Sequence, residues 1–128
     1  VIRVLSRVIA ESENSINYKT FIKDISKKKL NTAQSISHAA CSVATKQGIK
    51  KIITMTHSGS TARMVSRYRP GAEIIAMTPF KEICRQLGII WGVRPLLVRD
   101  YNNSDDIPLI ANEVLMLNKI IKKVKSTL

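Results

Sequence analysis

The stretch Ile52-Ile53-Thr54-Met55-Thr56-His57-Ser58-Gly59-Ser60-Thr61-Ala62-Arg63-Met64-Val65-Ser66-Arg67-Tyr68-Arg69-Pro70 decides the fold. Its first four residues are mostly apolar, with Ile52, Ile53 and Thr54 β-branched, the pattern of a buried parallel strand. A hydroxyl-rich turn with a single glycine follows, and then a helical segment closed by Pro70. A strand, a tight turn and a helix start in that order make a place where an anion can sit. The first N–H groups of a helix lack intrahelical partners and lie at the positive end of its dipole, and a glycine lets the backbone bend close to a ligand. The hydroxyls of Thr56, Ser58, Ser60 and Thr61 would add donors. The competing reading is an ordinary cap: Ser60 or Thr61 accepts from its own helix start and the turn binds nothing.

A chain of 128 residues, 45% of them hydrophobic, is long enough for one domain with a substantial core. No apolar run approaches the roughly 20 residues of a membrane helix, and Arg3 and Arg7 interrupt the apolar pattern of the first ten residues, so the chain reads as cytoplasmic. Cys41 and Cys84 fall on separate predicted helices and are expected as reduced thiols. The net charge of +12 brings nucleic acid or an anionic membrane surface into consideration. The lysines cluster at Lys27-Lys28-Lys29, at Lys50-Lys51, and at Lys119, Lys122, Lys123 and Lys125, without the interleaved aromatic rings that base stacking requires. Lysine on solvated faces needs no partner, and that reading is preferred to a nucleic-acid surface.

Outward from the central stretch, periodicity predicts further elements. Ile2, Leu5, Val8, Ile9 and Ile16 outline an amphipathic helix with Arg3, Arg7, Glu11 and Glu13 outward. A short helix is expected between Tyr18 and Lys29, with Phe21, Ile22 and Ile25 inward. Asn31 with Gln34 forms a capping box, Ile36, Ala39, Ala40, Val43 and Ala44 repeat at helical spacing, and Gly48 stops that helix. Its many small residues suggest close packing on a sheet. His38 and Cys41, three apart, read as a packed or hydrogen-bonded pair rather than as metal ligands. Beyond Pro70, residues 73–77 read as a second strand, Thr78-Pro79 as the start of a helix closed by Gly88, and residues 91–98 as a third strand. Ser104 is expected to cap the last helix, with Ile107, Ile110, Ala111, Val114, Leu117, Ile121 and Val124 on one face. Strands alternating with helices predict a parallel sheet. Three strands leave an open apolar edge, which points to a piece of a longer protein.

Ser37-His38-Ala39-Ala40, the run from Ser58 to Pro70, Ile75-Ala76-Met77-Thr78-Pro79, Arg85-Gln86-Leu87 and Trp91-Gly92-Val93 with Pro95, in that order, resemble the C-terminal domain of pyruvate kinase. Residues 1–17 resemble the last helix of that enzyme's catalytic barrel, and residues 18–128 resemble the C-terminal domain up to a point before its last strands. The resemblance implies an α/β fold of three layers, α/β/α, with a mainly parallel central sheet. It implies an enzyme of glycolysis that transfers phosphoryl from phosphoenolpyruvate to ADP with Mg²⁺ and K⁺, with a homo-oligomer, a tetramer in the family, and the enzyme's own catalytic barrel as partners. The family's catalytic lysine and metal ligands belong to the barrel and its lid, so no catalytic residue, metal ligand or cofactor is expected here, and the segment is expected to be inactive alone.

The family's effector turn, Thr-x-Ser-Gly-x-Ser/Thr, implies that Thr56, His57, Ser58, Gly59, Ser60 and Thr61 hold the phosphate of a sugar phosphate such as fructose 1,6-bisphosphate. Some relatives carry Lys where His57 stands, so any charge from this side chain depends on pH. The loop that clasps the far phosphate of a bisphosphate would lie beyond Leu128, which favours a monophosphate. Ser58-Gly59-Ser60-Thr61 lacks the Lys and paired glycines of a Walker A loop. Two other readings stay open: a stand-alone phosphosugar-binding module and a basic nucleic-acid-binding domain.

Overall fold

The computed structural model describes residues 1–17 and 29–117. In chain order, α1 (Ile2–Asn14) and α2 (Thr32–Gln47) precede β1 (Lys51–Met55), α3 (Ser60–Arg67), β2 (Glu73–Thr78), α4 (Lys81–Leu87) and β3 (Val93–Leu97); a 3₁₀ turn (Ser104–Asp106) then leads into α5 (Ile107–Leu117). The helix expected between Tyr18 and Lys29, and the stretch with Lys119 to Lys125, lie outside the described residues.

The three strands are parallel in the order β1-β2-β3, with Ile53 opposite Ile75 and Ile75 opposite Arg94. β2 is the middle of the core because both its faces are covered. Ile74 packs with Cys41, Val65 and Tyr68, and Ala76 with Ala62 and Leu87, all on the α3 and α4 side. Ile75 and Met77 point the other way, onto Val98, Ile110 and Leu115. Successive residues of a strand alternate faces, so an uninterrupted apolar run is what a doubly covered strand needs. The expected α/β/α layering is therefore present. Pro95, which has no N–H to donate, sits on β3, which pairs only with β2 among the described residues.

The α2 caps match the sequence. Asn31 Oδ1 accepts from Gln34 N–H at 2.8 Å, Gln34 Oε1 accepts from Asn31 N–H at 2.9 Å, and Gly48 ends the helix at φ 66°. The buried face differs from the expected one. Ser37, Cys41 and Ala44 are buried against α3, whereas Ile36 and Val43 are 67% and 53% exposed, and Ala39 and Ala40 are exposed with them. The seam is displaced by about one residue, or 100° of helix. Small residues on it let α2 approach α3 closely, with Cys41 reaching Ile74 of the sheet. The Cys41 thiol donates to Val65 O at 3.8 Å and Tyr68 Oη donates to Gln34 O at 3.3 Å. The His38 ring meets Tyr68 edge-on at 5.6 Å, so His38 and Cys41 each pack on α3 or its end.

Other boundaries and faces also depart from the sequence reading. No residue of α1 is buried, and nothing among the described residues covers Leu5, Val8 and Ile9; Glu13, expected outward, instead accepts from the Trp91 indole N–H at 3.1 Å. Trp91 was expected in a strand, but β3 begins at Val93, because Gly92 turns the chain at φ 70°. The Trp91 carbonyl accepts from Ser66 Oγ at 2.6 Å, and the Arg69 guanidinium lies 4.5 Å from the Trp91 ring centroid. These contacts hold Arg69 at a φ of 45°, a left-handed conformation that costs a non-glycine residue about 1 kcal/mol or more. Thr78 ends β2 instead of capping a helix; its Oγ1 accepts from Phe80 N–H at 3.3 Å and α4 starts at Lys81, with Gly88 closing it as expected. Ser104 is the first residue of the 3₁₀ turn, after Asn103, and so does not cap α5, which starts at Ile107.

Candidate functional site

Each parallel strand releases the chain at the same edge of the sheet, and the three loops that follow converge there. Ligands of parallel α/β folds bind beyond this carboxyl edge because helix starts and loop side chains meet at it. After β1 comes the Thr56–Thr61 turn. Thr56 still belongs to the sheet, its N–H donating to Met77 O at 2.9 Å, and its buried Oγ1 accepts from Gly59 N–H at 2.8 Å. That bond draws the turn closed. Thr56 thus shapes the cradle from inside, where the sequence suggested an outward donor.

Gly59 is the N-cap of α3, at φ 84°, and no side chain caps it. Neither Ser60 nor Thr61 performs the capping that the competing reading required, because both lie inside the helix. Ser58 Oγ accepts from Ser60 N–H at 3.3 Å and donates to Ser60 Oγ at 3.0 Å. The first intrahelical bond runs from Arg63 N–H to Gly59 O at 3.1 Å. The N–H groups of Thr61 and Ala62 therefore have no partner among the described residues. Ser58, Ser60 and Thr61 are exposed at the mouth of this helix start. The arrangement offers a small oxyanion unpaired amides and hydroxyls on one turn.

His57 projects from the turn toward the other two loops. Its ring stacks on Tyr101, with centroids 4.8 Å apart and planes at 22°, and lies 5.6 Å from the Phe80 ring. Its Nε2 is 3.8 Å from Asp100 Oδ1. His57, Pro79, Phe80, Lys81, Glu82 and Ile83 line an open depression beside the turn. Burial, and then the Asp100 charge, push the Tyr101 hydroxyl above its ordinary pKa, so it stays protonated at neutral pH. Phe80, Lys81, Asp100 and Tyr101 were missed in the sequence, although the convergence of post-strand loops in a parallel sheet pointed to their positions. Among the described residues no three His, Cys, Asp or Glu side chains come together as metal ligands. No helix among the described residues is long and apolar enough to cross a membrane.

Residues 34–127 match the family described as pyruvate kinase, alpha/beta domain. The chain belongs to this family. Over 107 residues it is 37% identical to the pyruvate kinase of Clostridium acetobutylicum, a match covering 83% of this chain and 23% of that protein. The pyruvate kinase of Lactobacillus delbrueckii subsp. bulgaricus is 43% identical over 77 residues, 60% of this chain and 13% of that one. The crystal structure of a Cryptosporidium parvum pyruvate kinase superposes with a TM-score of 0.81 at 32% identity, covering 93% of this chain and 25% of that one. The chain thus spans about a quarter or less of the length of these pyruvate kinases. The part it matches is the α/β domain at the C-terminal end, as the sequence motifs implied.

Proposed function

We propose that this chain is the allosteric and oligomerisation domain of a cytoplasmic pyruvate kinase, and that its Thr56–Thr61 turn holds the phosphate of a sugar-phosphate effector. The observation that carries the reading is the αL Gly59 at the carboxyl edge of the sheet, beside two helix-start amides without partners. The phosphate's oxygens accept from Thr61 and Ala62 N–H and from the hydroxyls of Ser58, Ser60 and Thr61, while a protonated His57 adds positive charge. In the full enzyme the phosphoryl transfer of glycolysis, with its Mg²⁺ and K⁺, is performed by the catalytic barrel.

Two surfaces fit the partners proposed for such a domain. The uncovered apolar face of α1 suits the barrel. On α2 the exposed Ile36, Ala39, Ala40 and Val43 form an apolar stripe on a helix whose only charged residue is Lys46. In a chain with a net charge of +12, a face so poor in charge is one on which a second copy docks with little repulsion. Calorimetric titration with glucose 6-phosphate tests the effector reading. The double variant Ser58→Ala, Thr61→Ala should lose roughly 0.5–1.5 kcal/mol per neutral hydrogen bond, and up to about 3 kcal/mol where the phosphate charge strengthens the bond. An unchanged affinity would remove these hydroxyls from the site.

A further inference from the structure

The neighbour of His57 is an acid, which is unexpected beside a turn that offers an anion its donors. Asp100 belongs to the loop after β3 and is held in place: its Oδ1 accepts from Tyr101 N–H at 2.8 Å, and the same oxygen lies 3.8 Å from His57 Nε2. The His57–Tyr101 stack fixes the two loops face to face. The chain is also anchored just before Asp100. Val98 N–H donates to Thr78 O at 3.0 Å, and Arg99 reaches Glu113 on α5 at 3.8 Å. The other charged groups at His57 are Lys81 and Glu82 of α4, which line the same depression. Lys81 attracts an anion as His57 does, and Glu82 opposes it.

We infer that Asp100 is an internal competitor of the effector's phosphate for His57, so that phosphate binding at the turn releases the β3–α5 loop. The inference rests on the phosphate reading of the turn. A histidine carries charge only when protonated, and one imidazolium N–H cannot serve a carboxylate and a phosphate oxygen at once. With phosphate bound, His57 turns to it, and the Asp100 carboxylate is left facing a dianion. Like charges at such proximity repel, which moves Asp100 and Tyr101 away from the turn. Arg99, next in the chain, carries that displacement toward Glu113 and α5. Asp100 therefore sets how tightly the turn binds and couples the turn to the last helix.

The side chains of His57 and Asp100 are 52% and 68% exposed, so solvent screens the pair and the expected effect is modest. Asp100→Asn should bind inorganic phosphate about two- to fivefold tighter than the parent chain at pH 6 and low salt, the range an exposed ion pair allows. The gain should shrink as salt is raised, and the share that comes from competition for His57 should be lost in the His57→Gln background, leaving only the weaker direct repulsion of the anion. Amide shifts of the 128-residue chain, titrated with phosphate and then with glucose 6-phosphate, read all of this together. Loss of the nuclear Overhauser contact between the His57 and Tyr101 rings on binding is also expected. If the Ser58–Ala62 amides respond in both proteins with equal affinity, the competitor role is overturned while the phosphate site stands. A gain of the same size without His57 also overturns it, because Asp100 would then be acting on the anion alone. If those amides respond in neither protein, the phosphate site itself falls and the competitor role with it.

Discussion

Replacing Gly59 by alanine tests whether the turn is held by its packing as well as by its backbone. A Cβ on Gly59 would lie 3.2 Å from Leu87 Cδ2 and 3.4 Å from Ile83 Cγ2, and the residue sits at φ 84°. Two costs then add. An alanine in the left-handed region loses about 1–2 kcal/mol, and pressing a methyl group on the fully buried Leu87 adds about 1–3 kcal/mol. Gly48→Ala provides the control, since Gly48 has φ 66° and no atom within 4 Å of an added Cβ. It should show the first cost alone. Both changes reduce the freedom of the unfolded chain equally, so that contribution cancels in the comparison. Urea unfolding followed by circular dichroism should place Gly59→Ala about 1–3 kcal/mol below Gly48→Ala, with similar m-values. Equal losses, or a larger loss at Gly48, would refute the claim that the turn is packed on α4.

Two further outcomes are expected. Trp91→Phe removes the indole N–H donated to Glu13, a contact between α1 and the sheet domain; amide hydrogen exchange should quicken in α1 and stay slow in β2, and unchanged α1 exchange would contradict a role for that bond in holding α1. Burial pushes the Cys41 thiol up to about 11. The folded state then keeps a proton that the unfolded state gives up near the ordinary thiol value, so the contribution of Cys41 is complete below that value. It is lost as pH rises through about 9 to 11, by on the order of 2–3 kcal/mol. Denaturation midpoints across that range should fall more steeply for the parent chain than for Cys41→Ser, and parallel curves would show that the thiol is not held neutral.

Local chemistry was the most legible part of the sequence. The Asn31–Gln34 capping box, the Gly48 stop and the apolar run of β2 each state their conformation within a few residues, and all three are present. Faces were harder to read. Ile36, Ala39, Ala40 and Val43 have the spacing of a core stripe, but helical periodicity does not say which of two apolar stripes is covered, and Ser37, Cys41 and Ala44 allow the closer approach. Trp91 has strand-like neighbours, yet contacts with Glu13, Ser66 and Arg69, all distant in sequence, hold it in a turn. The same limit applied at the site. Thr56 to Thr61 are contiguous and were found as a motif, whereas Asp100 and Tyr101 meet His57 only because β1 and β3 end at the same edge.

The most direct test of the effector site is a map of the chain's amide shifts as glucose 6-phosphate is added. Movement centred on Thr61 and Ala62, spreading to Ser58, Ser60 and Tyr101, is the expected result. A turn whose amides stay still at millimolar ligand, with or without shifts elsewhere, contradicts a phosphate site there and leaves Gly59 as an ordinary helix start.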